Sequence, residues 1–314
     1  MPKVRVNEDV ELAYESFGEG EPLLLIMGIG AQMVIWEDDF CRALAARGFR
    51  VIRFDNRDVG ESTRLDQLRA PDIQKALRNR VLGRKVETPY TLEDMAADTF
   101  GLMDALGIES AHLCGLSLGG MIAQCMALAR PTRVRSLAIM MSGPGELWAA
   151  VPTLTGLRAL VKRPTDTSRA GLIEHFVRSW SALGANPHRT SSERLRELAA
   201  VSFDRGMSGR GFARQFGAIM AAPPRTRLLR KLRVPTVIVH GAQDPLIPPI
   251  AGRLMASQIP GARLVVIEGL GHDLGPSAWK YAIAAVEDNA RRKLALGARR
   301  LGVLRAFTQK AVHV

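Results

Sequence analysis

The sequence predicts an α/β protein, a mostly parallel central sheet with helices on both faces and a helical cap inserted into it. Short continuous apolar runs recur along the chain, helical stretches lie between several of them, and one long interval holds helix-like pieces without a strand. In chain order, residues 4–12 (VRVNEDVEL) alternate apolar and polar positions as a half-buried strand does, and GEGEP at 18–22 reads as a turn. LLLIM (23–27), VIRFD (51–55), HLCGL (112–116), LAIMM (137–141), VIVH (237–240) and LVVIE (264–268) fit strands buried on both faces. Thr91 opens a helix with a capping signal completed by Asp94; its apolar positions run Met95, Phe100, Met103 and Leu106, and Gly107 ends it. MIAQCMALA (121–129) reads as a second helix.

The break in the alternation sets the domain organisation. From Pro144 to about Arg230 only helix-like pieces occur, among them GLIEHFVRSWSAL and SERLRELAAV. We therefore divide the chain into a core of residues 1–143 and 231–290, a cap or lid of 144–230, and a basic C-terminal extension of 291–314.

Composition bounds the function. The 314 residues are 47% apolar, enough for a sizeable core, with no run of about 18 apolar residues for a spanning helix. The opening MPKVRVNEDV lacks the pattern of a secretory signal. Cys41, Cys114 and Cys125 form no complete set of pairs and have no metal-type spacing. A cytoplasmic, disulfide-free protein is expected. The net charge of +12 is unevenly spread: residues 144–230 hold 14 basic and 6 acidic side chains, and 291–314 hold 7 basic and none acidic. No nucleic-acid module accompanies this surplus, and few aromatics are available to stack bases, so a solvated helical surface is expected and a nucleic-acid partner is not. The tail could form a rough amphipathic helix for a membrane surface, but Arg300 falls on its apolar arc, which favours a frayed or packed terminus. No phosphate-binding glycine loop and no metal-ligand cluster are present, so no cofactor and no metal are expected.

The chemistry centres on Gly115-Leu116-Ser117-Leu118-Gly119-Gly120, which ends an apolar run and opens a helix. In that context G-x-S-x-G is a nucleophile elbow, a sharp turn that projects the serine beyond the sheet and leaves no room for side chains two residues to either side. A serine needs a base. Of the six histidines, His112 lies inside a strand, His240 ends one, and His175, His188 and His313 fall in the cap or tail; His272, in Gly-Leu-Gly-His-Asp after LVVIE, sits where parallel sheets bind ligands. Asp244, after VIVH, is the carboxylate that completes the chain order Ser, Asp, His of such an elbow. Asp55 breaks that order, and Asp273 is too close to the histidine to face it. For an oxyanion hole, one donor is the N–H of Leu118; the other, from Gly28-Ile29-Gly30, is that of Ile29. Losing one such donor typically costs about 10²–10³ in turnover.

Together, IMGIGAQMVIWEDDF, RFDNRDVGEST, GLSLGG, HGAQDPLIP and GLGHD resemble the α/β-hydrolase superfamily across residues 20–143 and 231–285, and within it the serine ester hydrolases related to aclacinomycin methylesterase. The resemblance implies a serine hydrolase cleaving a carboxylic ester through an acyl-enzyme, with lactonase or cofactor-free perhydrolase activity, or a ligand receptor of little turnover, as alternatives on the same residues. An aspartate would stand at the elbow of the dehalogenase and epoxide hydrolase relatives. Many relatives carry His-Gly where this chain has Met27-Gly28, which leaves open what supports the oxyanion loop. The loop Asp55–Ser62 is read as structural. If cap residues such as Trp148, Leu154, Phe176, Trp180, Phe212 and Phe216 face the site, the pocket is partly apolar and takes a hydrophobic small-molecule ester. The oligomeric state is left open.

Overall fold

A computed structural model describes residues 1–292 and 302–305. The strands are β1 (Lys3–Arg5), β2 (Glu11–Phe17), β3 (Glu21–Ile26), β4 (Phe49–Phe54), β5 (Ala111–Leu116), β6 (Val134–Met140), β7 (Thr236–Gly241) and β8 (Arg263–Ile267), with a short β9 (Gly302–Arg305) at the edge. They form one sheet in the order β1-β2-β4-β3-β5-β6-β7-β8-β9. Pairing is antiparallel between β1 and β2 and between β2 and β4, and parallel elsewhere.

The continuous apolar runs follow from burial on both faces. In β3, Leu24 and Ile26 join a cluster under α3 (Leu92–Ala105) and α4 (Leu118–Ala129), whereas Leu23 and Leu25 join a second cluster under α1 (Asp38–Ala45) and α11 (Trp279–Ala290). The two-residue period of a strand sends alternate side chains to opposite layers, so every position must be apolar. The capping signal at Thr91 is present as a full capping box with Asp94.

The alternating stretch 4–12 is not one strand. Asn7 Oδ1 accepts the N–H of Asp9 at 2.9 Å, a turn that folds the segment into the β1–β2 hairpin. Glu21 and Pro22, read from sequence as turn, already belong to β3.

Between β6 and β7 the chain leaves the sheet and forms α5 (Leu154–Val161), α6 (Arg169–Leu183), α7 (Ser192–Asp204) and α8 (Gly209–Ala221). Thr153, Ser168, Ser191 and Ser208 cap them, each side-chain oxygen accepting a backbone N–H of the first turn. Two buried ion pairs, Arg205 with Asp55 and Arg214 with Asp58, tie this insertion to the loop after β4. Of the remaining helices, α2 (Ile73–Val81) precedes α3, while α9 (Thr226–Leu229) and α10 (Pro249–Gln258) flank β7. Among the described residues no helix is long and apolar enough to cross a membrane. The amphipathic reading of the tail falls mainly on residues 293–301 and 306–314, outside the described residues.

Candidate active site

Ser117 stands between the end of β5 and the start of α4 with φ +54° and ψ −117°, a conformation that side-chain-bearing residues rarely adopt. The surroundings enforce it. Its N–H donates to Met140 O at 2.9 Å, and its carbonyl accepts from Ser142 Oγ at 2.7 Å. A Cβ at Gly115 would lie 2.2 Å from Gly119 O, and one at Gly119 would lie 1.9 Å from Ile26 O. The two glycines therefore let strand, turn and helix close on one another.

His272 and Asp244 come from the loops after β8 and β7. His272 Nδ1 lies 2.7 Å from Asp244 Oδ2. Asp244 Oδ1 accepts the N–H groups of Leu246 and Ile247 at 2.9 and 2.8 Å, so the carboxylate is oriented before the histidine meets it. With that carboxylate ionised, the imidazole carries its proton on Nδ1 and leaves Nε2 free to accept one. The backbone N–H of His272 donates to Leu183 O, at the end of α6, at 2.8 Å.

Ser117 and His272 both line one cleft, walled by Met27, Ile29, Leu160, Trp180, Phe212 and Leu246. Among the described residues Ser117 Oγ has no hydrogen-bond partner. The wall is largely apolar. Of the apolar cap residues, Trp180 and Phe212 face the cleft, whereas Phe176 and Phe216 are buried in packing and Trp148 and Leu154 are exposed on the outside.

The loop after β3 runs against the elbow: a Cβ at Gly28 would come 3.3 Å from Ser117 Cβ. Among the described residues the N–H groups of Ile29 and Leu118 have no acceptor, which leaves both available to a developing oxyanion. Two side chains not singled out from sequence hold this loop. Gln215, on α8, accepts the N–H of Gly30 at 2.8 Å and donates to Arg57 O, and Asn56 donates to Met27 O at 3.0 Å. These contacts support the loop that carries Met27-Gly28. Asn56 lies in the Asp55–Ser62 loop, which the sequence marks as structural; Gln215, in a glycine- and arginine-rich stretch, carries no signal.

The competing residues have other partners. Asp55 accepts the N–H groups of Met33 and Glu61 and pairs with Arg205; burial pushes its carboxyl up. Asp273 accepts the N–H and hydroxyl of Thr190 at 2.8 and 3.0 Å, and burial pushes it up as well. His112 bonds Ser136 Oγ at 2.7 Å inside the core. All three cysteines are buried and unpaired, and burial pushes the Cys41 thiol up to about 12. Among the described residues no group of three His, Cys, Asp or Glu could hold a metal.

A family model described as alpha/beta hydrolase fold matches residues 21–276. The chain is 31% identical over 312 residues to a rhodomycin D methylesterase of Streptomyces peucetius, covering 91% of this chain and 97% of the relative. A rhodomycin D methylesterase of Streptomyces sp. strain C5 is 32% identical with the same coverage. Among solved structures, a hydrolase from Pseudomonas aeruginosa PA01 superposes with a TM-score of 0.67 at 25% identity, covering 93% of this chain and 98% of that one.

Proposed function

We propose that this chain, which belongs to the alpha/beta hydrolase fold family, cleaves carboxylic esters with Ser117 as nucleophile, His272 as base and Asp244 as its orienting carboxylate. The observation that carries this reading is the convergence of an enforced positive-φ serine and a carboxylate-bound histidine on one apolar cleft. Ser117 Oγ attacks the ester carbonyl while His272 Nε2 takes its proton. The negative charge forming on the carbonyl oxygen meets the N–H groups of Ile29 and Leu118. Collapse expels the alcohol, which takes its proton from His272, and leaves an acyl group on Ser117. Water, deprotonated by His272, then attacks that acyl group, and Ser117 leaves with the proton returned.

Two considerations narrow the substrate. The cleft wall suits a hydrophobic group better than a charged one. The two streptomycete relatives are named as methylesterases, and a methyl ester fits such a site: the apolar acid fills the cleft and methanol departs.

Hydrolysis of p-nitrophenyl acetate and butyrate by wild type and Ser117→Ala, with intact-mass detection of a fluorophosphonate adduct, tests the reading. We expect turnover to fall at least about 10³-fold in the variant and one adduct to map to Ser117. Turnover that survives the substitution, or an adduct elsewhere, would refute it. An acylation that never releases would mark a ligand receptor instead.

A further inference from the structure

Among the described residues, most of the exposed large apolar side chains are concentrated in one place. Eleven large hydrophobic side chains are exposed among the described residues, and seven belong to three adjoining segments. These are Val81 and Leu82 at the end of α2, the stretch holding Leu147, Trp148, Val151 and Leu154, and Ile250 at the start of α10. Trp148, Val151 and Leu154 are 61%, 63% and 62% exposed. Hydrogen bonds and packing join the segments. Arg80 donates to Gly145 O at 2.8 Å, Thr153 N–H donates to Pro245 O at 2.9 Å, and the turn Leu147–Ala149 packs on α10. Contiguous exposed patches on soluble domains mark interaction sites more often than they mark chance.

The charge around the patch says what it meets. Residues 78–86 and 145–163 carry seven cations (Arg78, Arg80, Arg84, Lys85, Arg158, Lys162 and Arg163) and one acid, Glu146. None of the seven has an ion-pair partner among the described residues. Elsewhere on the insertion, Arg169, Arg194 and Arg196 are paired with Asp204, Glu37 and Glu174, while Arg178, Arg189, Arg210, Arg227 and Arg230 have no ion pair among the described residues but lie away from the exposed apolar segments in sequence. A second copy docking here would set these cations against their own kind, and the core of a protein interface is ordinarily depleted of lysine. A tryptophan and aliphatic residues rimmed by unpaired Lys and Arg match an anionic lipid surface, where rings sit at headgroup depth and each cation gains from the surface potential. The patch also adjoins the cleft, because α5 turns Ala159 and Leu160 inward while Leu154 and Arg158 stay exposed.

We propose that the end of α2, residues 147–154 and the start of α10 form a docking face for anionic lipid bilayers, with Trp148, Val151 and Leu154 seated among the headgroups. Docking here sets the α5 wall of the cleft close to the lipid, a route by which an apolar molecule dissolved in the membrane reaches the site. The docking itself does not depend on the esterase reading: Ser117→Ala is expected to bind vesicles as wild type does.

The test is co-sedimentation of the full chain with phosphatidylcholine vesicles containing no or roughly 30% phosphatidylglycerol, whose anionic headgroups supply the negative surface potential that attracts Lys and Arg. Wild type is expected to partition at least tenfold more strongly to the anionic vesicles, with loss of that preference in 0.5 M salt (about half the Debye length of physiological salt). A Trp148→Ser/Val151→Ser/Leu154→Ser variant is expected to lose at least tenfold in partition, and so is Arg84→Glu/Lys85→Glu, each with an unchanged melting temperature. The wild-type tryptophan emission is expected to shift to the blue on binding, and the Trp148→Phe difference spectrum to assign that shift to Trp148. Equal partition to both vesicle types, or full binding by the serine variant, would overturn the proposal. So would a wild type that ignores vesicles and sediments as a dimer that the same substitutions dissolve.

Discussion

His240 shows how one side chain can tie the site to solution pH. Its Nε2 lies 2.7 Å from Ile247 O and 3.6 Å from Asp244 Oδ2, so Nε2 carries the proton, while its buried Nδ1 has no partner and abuts Gly252. Charging the ring would place a second N–H where nothing accepts it, and burial accordingly pushes its pKa down. The unfolded chain takes up that proton near pH 6.5 and the folded chain does not. The stability His240 contributes is therefore present above about pH 6.5 and lost as pH falls, at up to about 1.4 kcal/mol per pH unit. Urea unfolding at pH 7.5, 6.5 and 5.5 is expected to show a shallower acid loss in His240→Gln than in wild type. At this scale the sequence was legible wherever the cause is local. The glycines at 115 and 119 flank Ser117 because a Cβ at either would strike backbone within the same turn or the next strand. Gln215 and Thr190 were silent because their meaning lies in partners more than 80 residues away, Gly30 and Asp273.

Strands and helices were legible to different degrees. The buried strands announced themselves because both faces are covered, and the hairpin at 4–12 was misread because alternation continues across an Asx turn. Helix α8 falls inside the interval that the sequence predicts to be helical, but its own signal is weak. Gly209, Gly211 and Gly217 break its helical signal, and two of them are there for packing: a Cβ at Gly211 would meet Asp58 O at 2.3 Å and one at Gly217 would meet Pro71 Cγ at 2.8 Å. The connector between α6 and α7 lies directly on the His272 loop. Leu183 O receives the His272 N–H, His188 N–H donates to Gly269 O, and Thr190 binds Asp273. Thr190→Val removes one donor from a buried carboxyl, and about 1–3 kcal/mol of stability is expected to go with it. The kcat on a p-nitrophenyl ester is expected to fall more than KM rises, since the loop that presents His272 loosens while the cleft wall stays. At the other end of the insertion, Arg205→Ala strands the fully buried Asp55, at an expected cost of about 3–5 kcal/mol in urea unfolding.

Across the whole molecule, the proposed triad comes from the carboxyl ends of β5, β7 and β8, which are near neighbours in the sheet although Ser117 and His272 are 155 residues apart. The chain order Ser, Asp, His and the place of each residue just after an apolar run made that convergence readable from the sequence. The lipid-docking face was not readable, because Val81 and Trp148 reach one surface only after β5, α4 and β6 have packed between them in sequence. The same strand order imposes a schedule on synthesis. β6 pairs with β5 on one edge and, on the other, with β7, whose residues follow only after the 95 positions 141–235. A ribosome adding about 5–20 residues per second leaves that second edge without a partner for roughly 5–20 s. Throughout this interval the Leu-Ala-Ile-Met segment (137–140) offers unpaired amides and carbonyls to any other extended chain nearby. The insertion that walls the cleft thus creates, in every nascent copy, a timed opportunity for aggregation that a chaperone or slow growth temperature would have to cover.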